Sequence, residues 1–212
     1  MKNKKTVVVT GGTKGIGAAI AAAFANEGYA VIVSSRHDSG IAKELGPDVR
    51  FIQADVRNRA DHLRLVQAAL DWHGGLDSYV NCAGVSSWRP LAEIDEAFWS
   101  SMMDTNAAGA FWGCQAAAAV MKTGASLINL SSLAGKRGSA NNSAYCASKF
   151  ALNGITQSLA KELGPRGIRV NAVCPVYVET PMILESLKDP RSPAGGKDVQ
   201  TYLKEFTRGN TA

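Results

Sequence analysis

Tyr145 and Lys149 stand four residues apart in SAYCASKFAL, which covers residues 143–152. The segment reads as the start of a helix, where residues at this spacing lie on one face about a turn apart. A tyrosine alone is a poor base because its ordinary pKa is about 10, but a nearby ammonium favours the phenolate. The pair is a candidate for proton transfer to and from a carbonyl or an alcohol. The spacing also occurs by chance, so its meaning depends on the rest of the chain.

A glycine-rich segment near the N-terminus is the second feature with chemical meaning. The apolar run at 6–9 predicts a strand, TGGTKGIG follows at 10–17, and an alanine-rich helix is predicted up to residue 27. Glycines at such a turn let the backbone approach a pyrophosphate, which the free N–H groups of the helix N-terminus bind. The predicted nucleotide contacts are Gly11, Thr13, Lys14, Gly15, Ile16 and Gly17.

Together with three further segments, these motifs resemble the short-chain dehydrogenase/reductase family, in its short single-domain subgroup that includes 3-oxoacyl reductases. The further segments are NCAG at 81–84, the residues Asn106 and Ser132, and IRVNAVCP at 168–175. The glycine spacing is typical of that subgroup and differs from the spacing in extended sugar-nucleotide epimerases. The resemblance implies an oxidoreductase that transfers a hydride between NAD(P) and a ketone or secondary alcohol.

The resemblance also implies four catalytic residues. Tyr145 is expected to act as general acid in reduction and as general base in oxidation. Lys149 is expected to lower the pKa of Tyr145 and to hold the nicotinamide ribose. Ser132 is expected to hydrogen-bond the substrate oxygen, with Ser131 as the alternative. Asn106 is expected to bend the central helix and hold a water beside the lysine, and an ordinary helix-interior or capping asparagine is the alternative.

Other cofactor contacts are expected where further strands end. Asp55 and Val56 are expected to meet the adenine ring, and a solvated loop aspartate is the alternative interpretation. The loop beside the adenosine ribose is expected to involve Asn81, Ala83 and Gly84.

The segment after the sixth predicted strand departs from the family pattern. Relatives generally have Pro-Gly where this chain has Pro175-Val176. A β-branched residue does not adopt positive φ cheaply, so Val176 costs about 1–3 kcal/mol or shifts the backbone if the loop needs that conformation. Pro175, Val178 and Thr180 are still expected to contact the cofactor, the last two near its carboxamide.

The end of the second predicted strand indicates which nicotinamide cofactor to expect. An NAD enzyme of this fold usually has an acidic residue there, which binds both ribose hydroxyls. This chain has Ser35 and Arg36 instead, and a guanidinium can bind a 2′-phosphate. Lys14 adds a second cation, so we expect NADP(H). NAD(H) is the alternative, because Asp38 follows closely and can replace the missing acid.

Strands and helices alternate along the chain. Strands are predicted at 6–10, 30–34, 49–53, 77–81, 125–130 and 168–174, and helices at 15–27, 59–73, 95–121 and 143–163. This alternation predicts an α/β fold with a Rossmann-like, doubly wound parallel sheet in one domain over residues 1–212. The resemblance implies strand order 3-2-1-4-5-6. Residues 176–206 are expected to form a loop region that covers the substrate.

The resemblance further implies a seventh edge strand, which we expect to be missing because nothing after Phe206 reads as a strand. The long helices predicted at 95–121 and 143–163 are rich in alanine and apolar residues. In relatives such helices pair across a subunit interface, so a homotetramer is expected for the complete protein.

Composition argues against several other classes of protein. No apolar run approaches the ~20 residues of a membrane helix, and the net charge of +5 is scattered, which argues against nucleic-acid binding. The four cysteines are far apart and the three histidines lack metal-ligand spacing. We therefore expect no metal site, reduced thiols and a cytoplasmic location.

Two other functions fit parts of the sequence. A sugar-nucleotide epimerase or dehydratase shares the architecture, but the glycine spacing and short length disfavour it. A non-catalytic nucleotide-binding or scaffold protein is the second alternative, and the missing strand favours it. The leading hypothesis remains an enzyme whose partner is a small-molecule carbonyl or alcohol.

Overall fold

Six parallel strands form the centre of this computed structural model, which describes residues 4–210. The strands are β1 (Thr6–Thr10), β2 (Ala30–Ser35), β3 (Val49–Gln53), β4 (Ser78–Asn81), β5 (Ser126–Leu130) and β6 (Arg169–Val173). Their order is β3-β2-β1-β4-β5-β6, which confirms the predicted Rossmann-like α/β fold. Each predicted boundary lies within one residue of the observed one, and no seventh strand occurs between residues 4 and 210.

Eight α-helices accompany the strands within the described range. They are α1 (Gly15–Asn26), α2 (Ile41–Leu45), α3 (Arg59–His73), α4 (Glu96–Met103), α5 (Gly109–Val120), α6 (Ser143–Leu163), α7 (Pro181–Ser186) and α8 (Val199–Asn210). The bounds of α3 and α6 are those predicted. At the start of α3, the side chain of Asn58 accepts a hydrogen bond from the backbone N–H of Ala60, and Gly74 ends the helix in a left-handed conformation.

The strands have apolar side chains on both faces because both faces are covered by helices. Val8 of β1 packs in a core with α3, α5 and α6, whereas Val7 and Val9 face the opposite core with α1 and α2. All three side chains are fully buried, and full burial of such a side chain contributes about 1.5–3 kcal/mol. The continuous apolar run in the sequence is the consequence of this two-sided burial.

The single helix predicted at 95–121 is interrupted in the structure. A π-helical turn, Asp104–Ala108, separates α4 from α5. Asn106 lies in this turn with its side chain buried, and Gly109 follows at a close approach to the Val56 backbone. Such a turn inserts an extra residue into the helix and re-aims the side chains around it. The helix predicted at 95–121 is thus divided in two at Asn106, the residue expected to bend it.

The region predicted as a covering loop contains two helices. Thr180 caps α7 by accepting a hydrogen bond from the Ile183 N–H, and Asp198 accepts one from the Thr201 N–H in the first turn of α8. Leu187 and Leu203 are buried in a small core between them. Residues 176–206 are therefore a folded cap rather than an irregular loop. No helix in the described part of the chain has the length and apolar character needed to cross a membrane.

Candidate active site

Helix α6 brings Tyr145 and Lys149 to the carboxyl end of the sheet. Lys149 is only 5% exposed, and its Nζ donates a 2.7 Å hydrogen bond to the carbonyl oxygen of Leu130 at the end of β5. Nζ lies 5.7 Å from the centroid of the Tyr145 ring. The predicted pair is thus on one helix face, with the ammonium directed towards the end of the central strands.

Burial controls the charge of both groups. It raises the pKa of Tyr145, and a hydrogen bond from Ser132 acts in the opposite direction. Burial also lowers the pKa of Lys149 to about 8, although the neighbouring thiols of Cys82 and Cys174 oppose this shift. The expected lowering of the Tyr145 pKa by Lys149 is not met in this structure. The physical reason is that Nζ binds the Leu130 carbonyl instead of approaching the phenol, so desolvation dominates.

Ser132 and Ser131 have different environments at the end of β5. Ser132 accepts a 3.1 Å hydrogen bond from the Ala134 N–H at the start of the 3-10 turn Leu133–Gly135, and it also bonds to Tyr145. Ser131 is buried, and its Oγ donates to the backbone carbonyl of Lys149 at 3.3 Å. The geometry therefore agrees with Ser132 as the substrate-facing serine and gives Ser131 a structural contact.

Asn106 connects three parts of the site. Its Oδ1 accepts from the Val85 N–H at 2.8 Å, and its Nδ2 donates to the Val85 carbonyl at 2.9 Å and to Ser148 Oγ at 3.0 Å. Ser148 in turn donates to the carbonyl of Tyr145 at 2.7 Å. The predicted bend at Asn106 corresponds to the π-helical turn, and its amide holds the loop after β4 against α6.

The glycine loop after β1 packs tightly only because its side chains are absent. A Cβ on Gly17 would lie 2.2 Å from the Gly11 carbonyl oxygen, and a Cβ on Gly11 would lie 2.8 Å from the Ala83 backbone. Gly11 also has a φ of +66°. Lys14 is the N-cap of α1 and makes no side-chain capping bond. The free N–H groups at the start of α1 therefore lie beside this tight loop, an arrangement that can bind a pyrophosphate.

These elements surround one cleft of about 560 Å³. Predicted site residues that line it are Gly11, Lys14, Gly15, Ile16, Gly17, Ala83, Gly84, Ser132, Tyr145, Lys149, Pro175, Val178 and Thr180. Cys82 lines it too. Burial raises the pKa of its thiol to about 11, so the thiol stays protonated at neutral pH.

Other predicted residues lie outside the cleft lining. They are Thr13, Ser35, Arg36, Asp55, Val56, Asn81 and Asn106. Asn81 is buried, and its Nδ2 donates to Asn129 Oδ1 at 2.9 Å, so it joins β4 to β5 instead of facing the loop. The Gly12 N–H donates to the Ser34 carbonyl at 3.2 Å, which holds the glycine loop beside the end of β2.

Asp55 is paired rather than free. Both of its carboxylate oxygens bind the guanidinium of Arg57, and this contact lowers the pKa of Asp55 to about 2. The charge of Arg36 lowers it further, which places Arg36 near Asp55. The Asp55 N–H donates to Asp61 Oδ2 at 2.8 Å, and His62 Nε2 donates to the Val56 carbonyl at 2.8 Å. The loop after β3 is thus fixed by the first turn of α3.

Val176 causes no backbone strain. Among residues 4–210 only Asn141 has a positive φ without being glycine, so the conditional cost expected for Val176 does not arise. Pro175 accepts a 2.9 Å hydrogen bond from the Leu133 N–H, which fixes the start of this loop beside Ser132. A Cβ on Gly15 would lie 3.3 Å from Thr180, so the loop reaches the glycine-rich turn.

The cleft lining also includes side chains that were not predicted as site residues, among them Trp88, Arg137, Tyr202 and Phe206. Tyr202 and Phe206 lie on α8, a helix that the sequence analysis did not predict. Trp88 donates a 2.9 Å hydrogen bond from Nε1 to Ser186 Oγ on α7. Arg137 belongs to the scattered positive charge of the sequence, and only the fold shows that it lines the cleft.

Comparisons with known proteins agree with this arrangement. The family model of the short chain dehydrogenases matches residues 5–191. The sequence is 34% identical over 215 residues to a 3beta-hydroxysteroid dehydrogenase of Mediterraneibacter gnavus, covering 95% of this chain and 78% of that protein. It is 36% identical over 216 residues to an (S)-acetoin-forming diacetyl reductase of Staphylococcus aureus, covering 98% and 83%.

The structure is also similar to solved structures. An actinorhodin polyketide ketoreductase solved with NADPH gives a TM-score of 0.88 at 31% identity, covering 98% of this chain and 83% of that one. A short-chain dehydrogenase/reductase from Brucella melitensis gives 0.83 at 36% identity, covering 88% and 78%. The matches extend over most of the sequence and over the whole sheet. This chain therefore belongs to the short-chain dehydrogenase family.

Proposed function

We propose that this protein is an NAD(P)-dependent oxidoreductase that interconverts a ketone and a secondary alcohol. The observation that carries the proposal is the convergence of Tyr145, Ser132 and Lys149 on one cleft beside the glycine loop. A proton donor, an orienting hydroxyl and an ammonium are the groups that hydride transfer to a carbonyl requires of the protein.

The residues have distinct parts in this reaction. The glycine loop and the N-terminus of α1 bind the pyrophosphate, and Lys149 binds the nicotinamide ribose. When bound, the nicotinamide supplies the hydride that adds to the carbonyl carbon and is oxidised in doing so. Tyr145 donates its phenolic proton to the carbonyl oxygen in reduction and takes a proton in oxidation. Ser132 hydrogen-bonds the same oxygen and holds it beside Tyr145.

Other residues position this machinery. We propose that Asn106 holds the loop at Val85 and the start of α6, through its bonds to Val85 and Ser148. The remaining proposed cofactor contacts are Gly11, Thr13, Lys14, Gly15, Ile16, Gly17, Ser35, Arg36, Asp55, Val56, Asn81, Ala83, Gly84, Pro175, Val178 and Thr180. For Asn81 the contact is indirect, through the strand ends that it joins.

The function is tested by following nicotinamide absorbance with a panel of ketones and secondary alcohols. We expect turnover with at least one of NADPH and NADH. Tight cofactor binding without turnover across the panel would favour the non-catalytic alternative. Turnover limited to sugar nucleotides would favour the epimerase or dehydratase alternative.

For the cofactor we propose NADP(H) in preference to NAD(H). Arg36 is exposed at the end of β2, beside the glycine loop that carries Lys14. Asp38, the acid that could replace the missing carboxylate, accepts a hydrogen bond from the Gly40 N–H at 2.9 Å and is held in its own turn. Two charge-assisted contacts of ~1.5–3 kcal/mol each would give about a hundredfold discrimination or more.

The cofactor proposal is tested by the ratio of kcat/KM for NADPH and NADH. We expect the parent to prefer NADPH and Arg36→Ala to lose most of that preference. Lys43→Ala, which removes an exposed cation on α2, is the matched control and should keep it. Equal efficiencies in the parent, or an unchanged ratio in Arg36→Ala, would contradict the proposal.

We further propose that residues 1–212 act as one domain and that the cap formed by residues 176–206 covers the substrate. Four free cysteines, none in a disulfide within the described residues, fit a reducing compartment. A cytoplasmic location is therefore proposed, and fractionation of cells that produce the protein would test it.

A further inference from the structure

The cleft contains a cation that the proposed function does not use. Among the residues that the structure describes, three basic side chains line the cleft and no aspartate or glutamate does. Lys14 and Lys149 have parts in cofactor binding. Arg137 has none, and it forms no ion pair with any residue between 4 and 210. An unpaired guanidinium in a cleft without carboxylates attracts an anionic group.

Arg137 lies five residues after Ser132, the residue proposed to orient the carbonyl, and both line the cleft. The N–H groups of Lys136 and Arg137 both donate to the Leu133 carbonyl, at 2.8 and 3.1 Å, so the chain after Ser132 turns back on itself. A ligand whose carbonyl binds Ser132 can therefore present a charged group to Arg137 within the same cleft.

The wall next to Arg137 is aromatic. The ring centroid of Tyr177 lies 4.8 Å from that of Phe206 and 5.7 Å from that of Tyr202, both in edge-to-face geometry. The hydroxyls of Tyr177 and Tyr202 bond to each other at 3.1 Å. This wall therefore offers ring surface to the cleft, and rings are favoured partners of such surface. Arg137 lines the same cleft as this wall, and its charge acts on the Tyr177 hydroxyl.

We propose, on the basis of the proposed function, that the substrate is a carbonyl compound with a ring body and an anionic group. Arg137 binds the anionic group, and Tyr177, Tyr202 and Phe206 pack against the ring. The chemical step is the one already described: the carbonyl carbon gains the hydride, its oxygen gains the proton of Tyr145, and the nicotinamide is oxidised. The anionic group takes no part in bond making.

The requirement for an anionic group on the substrate is tested with 4-acetylbenzoate and its methyl ester. The two compounds share a ring and a ketone and differ in charge. We expect the parent to have a kcat/KM at least tenfold higher for the anion. Arg137→Met should reduce this preference to about threefold or less while leaving the ester within about threefold of the parent. Lys136→Met, the neighbouring exposed cation outside the cleft lining, is the matched control and should keep the preference.

The preference for a ring in the substrate is tested with 6-oxoheptanoate and its methyl ester. These compounds carry the same ketone and carboxyl groups on a flexible chain. Phe206→Ala should lower kcat/KM for 4-acetylbenzoate at least fivefold more than for 6-oxoheptanoate. Thermal unfolding of each variant shows whether α8 remains folded. If Phe206→Ala unfolds, Phe206→Leu gives the same comparison with a smaller change in volume.

The results of these experiments distinguish a failure of this inference from a failure of the proposed function. Turnover of panel ketones without any preference for the anion, or a preference that persists in Arg137→Met, would contradict the role of Arg137. An equal loss of kcat/KM for 4-acetylbenzoate and 6-oxoheptanoate in Phe206→Ala would contradict the proposal that the substrate has a ring that packs against Phe206. Failure of every panel carbonyl and of all four probes with both cofactors would contradict the proposed function itself, and this inference with it.

Discussion

Lys149 is buried and Tyr145 is half-buried, and desolvation disfavours the charged form of each. Their environment keeps the phenol protonated at neutral pH, as a proton donor for carbonyl reduction must be. Lys149, with a pKa of about 8, is still mostly protonated at pH 7. In the proposed reaction, this protonated phenol can donate the proton that carbonyl reduction requires, and oxidation requires the phenol to ionise.

Tyr145→Phe is expected to lower kcat by about 10²–10⁴-fold, because the general acid is lost while the ring volume stays. Cofactor affinity, measured by titration of protein fluorescence, should change less than about threefold. Tyr29→Phe, a change in a tyrosine that packs against Phe24 in another part of the fold, is the control. Turnover of Tyr145→Phe close to the parent rate would remove Tyr145 from the mechanism.

Lys149→Met is expected to make the unfolding free energy less dependent on pH between about 8 and 10.5. Because the folded pKa lies below the ordinary value of 10.5, the unfolded parent binds more protons in this window. The stability of the parent should therefore rise with pH there. Burial raises the pKa of the Cys82 and Cys114 thiols, so these groups also contribute to the pH dependence of stability. The measurement is therefore the difference between parent and variant at each pH. A difference in unfolding free energy that stays constant with pH would contradict the lowered pKa of Lys149.

Lys149→Met should also lose cofactor affinity, since Lys149 has a proposed contact with the ribose.

At the scale of elements, α3 and β4 share a buried pair that fixes the loop after β3. His62 Nε2 contacts the Val56 carbonyl at 2.8 Å, and a carbonyl only accepts, so this nitrogen carries the proton. The other ring nitrogen, Nδ1, lies 2.7 Å from the Tyr79 hydroxyl and accepts from it. The neutral imidazole satisfies both partners, and a second proton would remove the acceptor.

The stability of the protein is therefore expected to fall as the pH drops below about 6.5. Burial lowers the pKa of His62 in the fold, while the Val56 carbonyl and Asp61 oppose this shift. The unfolded chain thus binds a proton at His62 before the folded chain does, and stability is lost as pH falls through that window. His62→Gln should show a shallower fall of unfolding temperature between pH 7.5 and 5.5. His37→Gln, at an exposed loop histidine, should behave like the parent, and an equally steep fall in both variants would contradict the role of His62.

The elements that the sequence predicts well are those with one strong local pattern. The β-branched runs of β1 and β2, and the apolar spacing of α3 and α6, need no knowledge of distant contacts. The π-helical turn at Asp104–Ala108 depends on bonds from Asn106 to residues far away in sequence, which no local pattern encodes. The helices α7 and α8 lie in a segment with several prolines and glycines, which are typical of turns. This composition predicts a loop, although Thr180 and Asp198 are residues that can cap helices.

The same distinction applies to the site. Tyr145, Ser132 and the glycine loop converge because the carboxyl ends of parallel strands share one edge of the sheet, so their motifs predict their meeting. Arg137, Tyr202 and Phe206 reach the cleft through the path of a loop and the docking of α8. That path is determined by tertiary packing and has no sequence period to reveal it.

At the scale of the whole molecule, two apolar side chains on α4 and α6 remain exposed. Trp99 is 45% exposed and Phe150 is 48% exposed, although both helices also pack inside the fold. Large apolar side chains on neighbouring helix faces mark candidate association surfaces. We propose that these faces pair between copies of the chain in a homotetramer, as the family resemblance implied.

The tetramer is tested by light scattering over a tenfold dilution, with a mass of about four chains expected. Phe150→Glu should produce a smaller species, because burying an unpaired carboxylate in an interface is unfavourable. Leu63→Glu is the matched control: Leu63 is 51% exposed on α3, away from the proposed faces, and its change should leave the mass unaltered. A parent mass of one chain throughout the dilution would contradict the tetramer. A tetramer that persists in Phe150→Glu would show that its interface lies on another face of the protein.

Every catalytic candidate lies within one chain. The Phe150→Glu species should therefore keep measurable turnover if it remains folded, which separates the effect on assembly from the effect on chemistry.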